Sequence, residues 1–240
     1  MLRSLEVILD ALPNLLWGAA ITLGLTGISA VLSMLLGAVI GIMRLSMAKL
    51  PSLFARAYIE FFRGTPLLVQ IFWIYFGFPA VAKGLGLDLK FSPLTAAVLA
   101  LSLNTGAYIA EVVRGSIQSI ELGQREASES LGLGTLETML YVIFPQAFRR
   151  MLPPLGNEFT GLIKNTSLVA VIGFEELFRK GQLVVAQNYR AFEIYTAIAI
   201  VYLVLNVAAS YGFSVLEWWM NPVERAKRRA AKPVASLSAE

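Results

Sequence analysis

Asn157, Gly161, Lys164 and Ser167 recur at i, i+4, i+7 and i+10, with Asn165 and Thr166 beside them, inside the otherwise apolar stretch LGNEFTGLIKNTSLVAVIGF. That spacing puts amides, a hydroxyl and a cation on one broad helix face. An unpaired charge at mid-bilayer costs several kcal/mol, so Lys164 must face a cavity or a partner rather than lipid. Two readings follow. The stripe lines a path for a polar solute, or it is a structural network in which Lys164 pairs with Glu111 or Glu158. Glu111 and Arg114, at i and i+3 where another apolar run ends, suit interfacial anchoring of the helix, or else gating or contact with a substrate carboxylate. Gln70 and Asn104 are lone amides in apolar surroundings, better suited to bridging helices than to binding solute.

Other chemistries are closed to this chain. It has no Cys and no His, which removes thiolate and imidazole metal sites, Cys-His or Ser-His catalysis, and disulfides. No phosphate-cradling G-x-x-x-x-G-K-[ST] occurs, so ATP hydrolysis is not expected here and no cofactor or metal is assigned. The chain reads as a non-enzyme.

The 240 residues are 57% hydrophobic and 15% charged, with a mean hydropathy of +0.67, far more apolar than a soluble domain. The net charge of +4 is not spread as a groove-binding patch. Many cations sit at the ends of apolar runs and in Arg225, Lys227, Arg228, Arg229 and Lys232, which disfavours nucleic acid and favours a positive-inside membrane protein. The first apolar run is too long for a cleavable signal, and Glu6 and Asp10 follow Arg3, so it is expected to stay as a helix.

A bilayer core needs roughly 20 apolar residues of helix. Four runs qualify plainly, at about 15–42, 57–82, 91–112 and 193–217. The first is rich in small residues (Gly18, Gly24, Gly27, Gly37, Gly41) that permit close helix contact in lipid. The second, whose apolar run is 64–82, is entered through a helix carrying Arg56, Glu60 and Arg63 and is expected to bend near Pro66. The polar stripe at 155–174 is a fifth. Five spans put the loop 121–154 and the basic tail 223–240 on one side, and the Arg44, Lys49, Arg56 loop makes that side cytoplasmic, with the N-terminus outside. The permease domain is read as 1–222. Within 121–154, a helix over 124–131 stops at Gly132 and Gly134. Leu136, Met139, Leu140, Ile143, Ala147 and Met151 then form an amphipathic stripe on a second helix lying against the membrane. Trp218 and Trp219 suit an interfacial belt.

GQREASESLGLG followed by VIFP is similar to the "EAA" loop of ABC-type importer permeases, whose Glu-Ala-Ala, Gly and Ile-x-Leu-Pro positions fall on Glu126, Ala127, Ser128, Gly132, Val142, Phe144 and Pro145. Ser128, Val142 and Phe144 are conservative departures. YIEFFRGTPLLVQIFW, NTGAYIAEVVRGSI, FPQAFRRMLPPLGNEF and IKNTSLVAVIG resemble the polar-amino-acid-uptake branch, similar to the histidine and glutamine permeases. The resemblance implies an all-α polytopic fold of type I importer kind, with about five spans and a cytoplasmic coupling helix. It also implies a dimer of separate ATPase subunits that uses ATP and Mg, a second permease subunit in a homodimer or heterodimer, and an extracytoplasmic solute-binding protein at a bacterial inner membrane.

On that reading the coupling helix carries Glu126 and Glu129 as exposed carboxylates. Ala127 and Ser128 allow close approach to the partner, Gly132 makes the sharp turn, and Pro145 closes the motif. The substrate pathway runs along Lys164, Asn165, Ser167 and Asn157, with Glu111 and Arg114 as further candidates. Related permeases read Lys-Asp-Thr-Ser where this chain has Lys164-Asn165-Thr166-Ser167. A carboxamide there removes a counter-charge for a cationic side chain, so neutral or acidic amino acids, or a broad range, are expected over Arg and Lys. Two rival readings remain: an ion-coupled secondary transporter, for which no internal repeat is found, and a non-transporting membrane assembly subunit.

Overall fold

The computed structural model describes residues 2–220, with side chains from Ser4 onward; the expected basic tail 223–240 lies outside the described residues. Every regular element among the described residues is helical. They are α1 (Leu2–Leu45), α2 (Lys49–Gly64), α3 (Leu67–Phe72), a π turn (Trp73–Gly77), α4 (Phe78–Gly84), α5 (Pro93–Gln118), α6 (Leu122–Ser130) and α7 (Thr135–Glu137). A second π turn (Thr138–Ile143), α8 (Phe144–Asn165), a 3-10 segment (Thr166–Ile172), α9 (Leu177–Asn188) and α10 (Ala191–Met220) complete the described residues.

Four of these are long and apolar enough to cross a membrane: Ser4–Leu45, Leu67–Gly84, Pro93–Gln118 and Ala191–Met220. Helix α8 with its 3-10 extension covers the expected fifth span at 155–174, and its polar face keeps it out of that set. The C-terminal ends of α1, α5 and α10 lie at the end of the bundle that carries α6. Ser4 bonds Glu193 at the other end, so α1 and α10 run parallel.

Helix α1 packs along α5, and its glycines explain how. A Cβ on Gly37 would lie 2.5 Å from Ile109 Cγ2, and one on Gly41 2.8 Å from the Ala110 carbonyl oxygen. This Gly-x-x-x-Gly pair brings two backbones into contact where lipid offers no hydrophobic drive. Gly18 meets the Leu177 backbone in the same way, whereas Gly24 and Gly27 face open space. Thr22, Thr26, Ser29 and Ser33, fully buried, continue the tight face. Two of these hydroxyls bond back into the helix, Thr26 to the Thr22 carbonyl and Ser33 to that of Ser29.

The chain between α6 and the 3-10 segment departs from expectation. No membrane-lying helix ends before a separate span at 155. Helix α8 instead runs unbroken from Phe144 to Asn165 through Pro153 and Pro154. The π turn over Thr138–Ile143 inserts residues into the helical register. It splits the expected stripe: Ile143, Ala147 and Met151 are buried against Ile109, Val113 and Ile117, while Leu136 and Leu140 stay exposed. Helix α9, with Arg179 and Lys180 in its first turn, has no counterpart among the expected elements.

Candidate functional site

The site begins with a proline. Pro66 has no N–H, so the helix that starts at Lys49 stops at Gly64, Thr65 turns extended (φ −121°, ψ 145°), and a new helix starts at Leu67. The break leaves main-chain carbonyls that must be satisfied inside the bundle. Two buried amides do this. Gln70 Nε2 donates to the carbonyls of Phe62 (2.9 Å) and Thr65 (3.1 Å), and Asn104 Nδ2 donates to that of Phe62 (3.1 Å) and to Gln70 Oε1 (3.0 Å). Both residues bridge helices, as their isolation in the sequence suggests.

A cavity of about 510 Å³ opens at the break, within the usual range for small-molecule sites. Arg63, Thr65, Asn104, Tyr108, Glu158 and Asn165 supply its polar wall. Glu158, Gly161 and Asn165 reach it together because i, i+3 and i+7 share a helix face. The helix starting at Leu67 opens with no side-chain cap on this wall, so its first N–H groups and dipole favour an anion. The α8 helix tightens into the 3-10 segment directly after Asn165, so two helix discontinuities meet here, the arrangement by which membrane proteins build polar sites at depth.

Arg63 is held from outside the cavity. Glu111 forms a bidentate pair with Arg114 (Nη2–Oε2 2.7 Å, Nε–Oε1 3.1 Å) and stands 3.8 Å from Arg63 Nη1. The Arg63 guanidinium also lies 5.1 Å from the Tyr108 ring centroid, within cation–π range. Glu111 and Arg114 therefore do not line the cavity and act on it through Arg63.

The expected stripe divides. Asn165 faces the polar cavity, while Lys164 and Ser167 turn the other way, into a second cavity of about 500 Å³ lined by Phe178, Tyr195, Ile198, Ala199 and Tyr202. Lys164 pairs with neither Glu111 nor Glu158, since Glu111 is engaged by Arg114 and Arg63. Asn157 is exposed and lines neither cavity. Arg63 and Glu158 were outside the expected pathway; the signal for Glu158 was its i+7 relation to Asn165.

At the α6 end, Glu126, Ala127 and Glu129 are exposed, with Leu122, Leu131 and Tyr141 bare around them. Gly132 takes φ +82°, a left-handed turn that closes α6. Ser128 does not reach the outer surface as expected. It is buried, its hydroxyl bonded to the Arg125 carbonyl and 3.0 Å from Thr138 Oγ1, and it ties α6 to the π turn leading into α8. Pro145 sits exposed directly after the π turn, at the second residue of α8.

Sequence reasoning also missed Glu176. Wholly buried, it caps α9 by accepting from the Arg179 N–H (2.8 Å), and its other oxygen accepts from Tyr202 Oη (2.6 Å) and Thr22 Oγ1 (3.4 Å). No sequence pattern announces that three helices meet at that carboxylate.

Comparison with known proteins identifies the family. Residues 33–221 match the family described as binding-protein-dependent transport system inner membrane component. The glutamine transport system permease protein of Escherichia coli (strain K12) is 43% identical over 212 residues, covering 88% of this chain and 95% of that protein. The nopaline transport system permease protein of Agrobacterium fabrum is 36% identical over 236 residues, covering 97% and 98%. The crystal structure of an amino acid ABC transporter with histidines superposes with a TM-score of 0.81 at 40% identity, over 87% of this chain and 95% of that one. An inward-facing MetNI methionine ABC transporter matches in fold, with a TM-score of 0.71 at 19% identity, over 87% and 96%. The EAA-like segment and the strings around it thus pointed correctly, and the chain belongs to the inner-membrane component family of binding-protein-dependent transport systems.

Proposed function

We infer that the chain is the permease subunit of an ATP-driven ABC importer and passes a polar amino acid through the Arg63–Glu158–Asn165 cavity. One observation carries the reading: at a helix break inside the bundle, one guanidinium and one carboxylate share a cavity with carboxamides and hydroxyls. That is the complement of a zwitterion. Arg63 and the uncapped first turn after Pro66 receive the α-carboxylate, Glu158 receives the α-ammonium, and Asn165 meets the side chain. Glutamine and nopaline, named for two relatives, support a polar amino acid or a related small nitrogen compound.

With Glu158 assigned to the α-ammonium, no carboxylate among the lining residues remains for a cationic side chain. Neutral or acidic amino acids, or a broad range, are preferred over Arg and Lys. Energy comes from an ATPase dimer that uses ATP and Mg²⁺ and docks on the exposed carboxylates of α6. A second permease copy or paralogue completes the pathway, and an extracytoplasmic binding protein delivers solute. The bundle end bearing α6, Arg44 and Lys49 faces the cytoplasm, with the N-terminus outside. Closure of the ATPase reaches the cavity through the continuous α8, which joins the Ser128–Thr138 tie to Glu158 and Asn165.

The test is uptake by proteoliposomes holding the chain with its ATPase and binding protein, offered glutamine, glutamate, histidine, arginine and lysine in turn. Uptake is expected to need ATP, to favour neutral or acidic solutes or span a broad range, and to shift toward arginine and lysine in Asn165→Asp. Selective arginine or lysine uptake by the wild type would sink the selectivity; uptake driven by an ion gradient without ATP would sink the importer.

A further inference from the structure

Helix α2 presents three distinct faces, and only one is explained by the bundle. Ala55 and Ile59 are buried against Ile40 and Ala110. Leu50, Phe54 and Phe61, one and two turns apart, form a second face exposed at 81%, 61% and 54%, and Leu53, exposed at 64%, joins it to the cavity at the end of α1, a stripe that suits acyl chains. Between them Lys49, Ser52 and Arg56 fall at i, i+3 and i+7 on a third face. Where this face meets the end of α1, a cavity of about 360 Å³ is lined by Arg44, Lys49, Arg56, Ser46 and Ser52 and by no carboxylate.

The cavity is partly built. Arg44 Nη1 donates to Ser52 Oγ (3.2 Å), which ties the guanidinium across from α1 to α2. Ser46 Oγ accepts from the Ala48 N–H (3.2 Å), which shapes the elbow, and the first turn of α2 has no side-chain cap. The nearest acid is Glu60, which accepts from Arg56 Nε at 2.7 Å on the exposed side. Three cations against one carboxylate leave a net positive pocket. Met47, at 102% exposure, projects beside it.

We propose that this elbow between α1 and α2 binds the phosphodiester headgroup of an anionic phospholipid, with the acyl chains lying along Leu50, Phe54 and Phe61. Charge complementarity selects the headgroup, and the neighbouring bare apolar stripe selects a lipid over a free anion, which would leave that stripe uncovered. Helix α2 ends at Gly64, beside Arg63 of the polar cavity, so a lipid fixed at its start also steadies the helix that carries Arg63. The proposal is independent of which solute the polar cavity takes.

The test is native mass spectrometry of the intact transporter released from nanodiscs of phosphatidylcholine with a minor fraction of phosphatidylglycerol. The wild type is expected to retain phosphatidylglycerol over phosphatidylcholine by at least about fivefold relative to the bulk ratio, given the strength of one cation at an anionic surface. Lys49→Gln/Arg56→Gln should fall to about parity and Lys49→Gln alone to an intermediate value, whereas the charge-matched Lys83→Gln/Lys90→Gln keeps the preference. Retention unchanged in the double variant, or equal loss in the charge-matched control, overturns the proposal. So does displacement of the lipid by inorganic phosphate, which would make the ligand a free anion.

Discussion

Replacing Gln70 by Leu keeps the volume at the helix break and removes the group that satisfies it. The Gln70 amide has two protons for three acceptors, the Phe62 and Thr65 carbonyls and Thr65 Oγ1, and its oxygen accepts from Asn104. Two donated bonds and one accepted bond are lost. At about 0.6 kcal/mol per interhelical hydrogen bond in a membrane, the sum is about 2 kcal/mol. Asn104→Leu loses two bonds, to the Phe62 carbonyl and to Gln70 Oε1, or about 1 kcal/mol on the same scale. The two variants share one bond, so the double variant should lose less than the sum, by at least about 0.5 kcal/mol. Unfolding in dodecyl sulfate mixed micelles, followed by circular dichroism, measures all three differences. Strict additivity, or a Gln70→Leu protein as stable as the wild type, would refute the claim that this amide pair holds the break open.

The helix contact between α1 and α5 gives a graded prediction. Gly41→Leu drives its side chain into the Ala110 carbonyl and Val113 and should destabilise by about 1–3 kcal/mol, while Gly24→Leu, with nothing within 4 Å, should change little in the same unfolding assay. At the α6 turn, Gly132→Val forces a β-branched residue to φ +82° at a cost of about 1–3 kcal/mol. It is expected to weaken pull-down of the ATPase subunit while α8 and the bundle stay folded by circular dichroism. Equal capture by wild type and variant would remove α6 from the docking surface.

Residue type announced some of this and could not announce the rest. Pro66 states its own consequence, because a missing N–H breaks a helix wherever it falls, and Gln70 and Asn104 are readable as the answer to that break. Helix face membership in 155–174 was half legible: Asn165 reaches the polar cavity, but Lys164, one residue away, is 100° round and meets a different cavity with α9 and α10. Sequence spacing shows which residues share a face, not which neighbour that face meets. The expected division between loop and span at 154/155 does not exist, because α8 runs on through Pro153 and Pro154. Ser128 looked like a small residue on a docking surface, and the π turn that brings Thr138 beneath it leaves no signature in composition. Glu176 lay hidden because its partners, Thr22 and Tyr202, are far away in sequence.

The central claim is that a zwitterionic solute crosses between Arg63 and Glu158. Glu158→Gln removes the carboxylate and keeps the shape. A hydrogen bond to a charged group contributes about 1.5–3 kcal/mol, so ATP-driven uptake of the transported amino acid into proteoliposomes should fall roughly 10- to 100-fold, while ATP hydrolysis by the assembled complex continues. Wild-type uptake by the Glu158→Gln transporter would contradict the account.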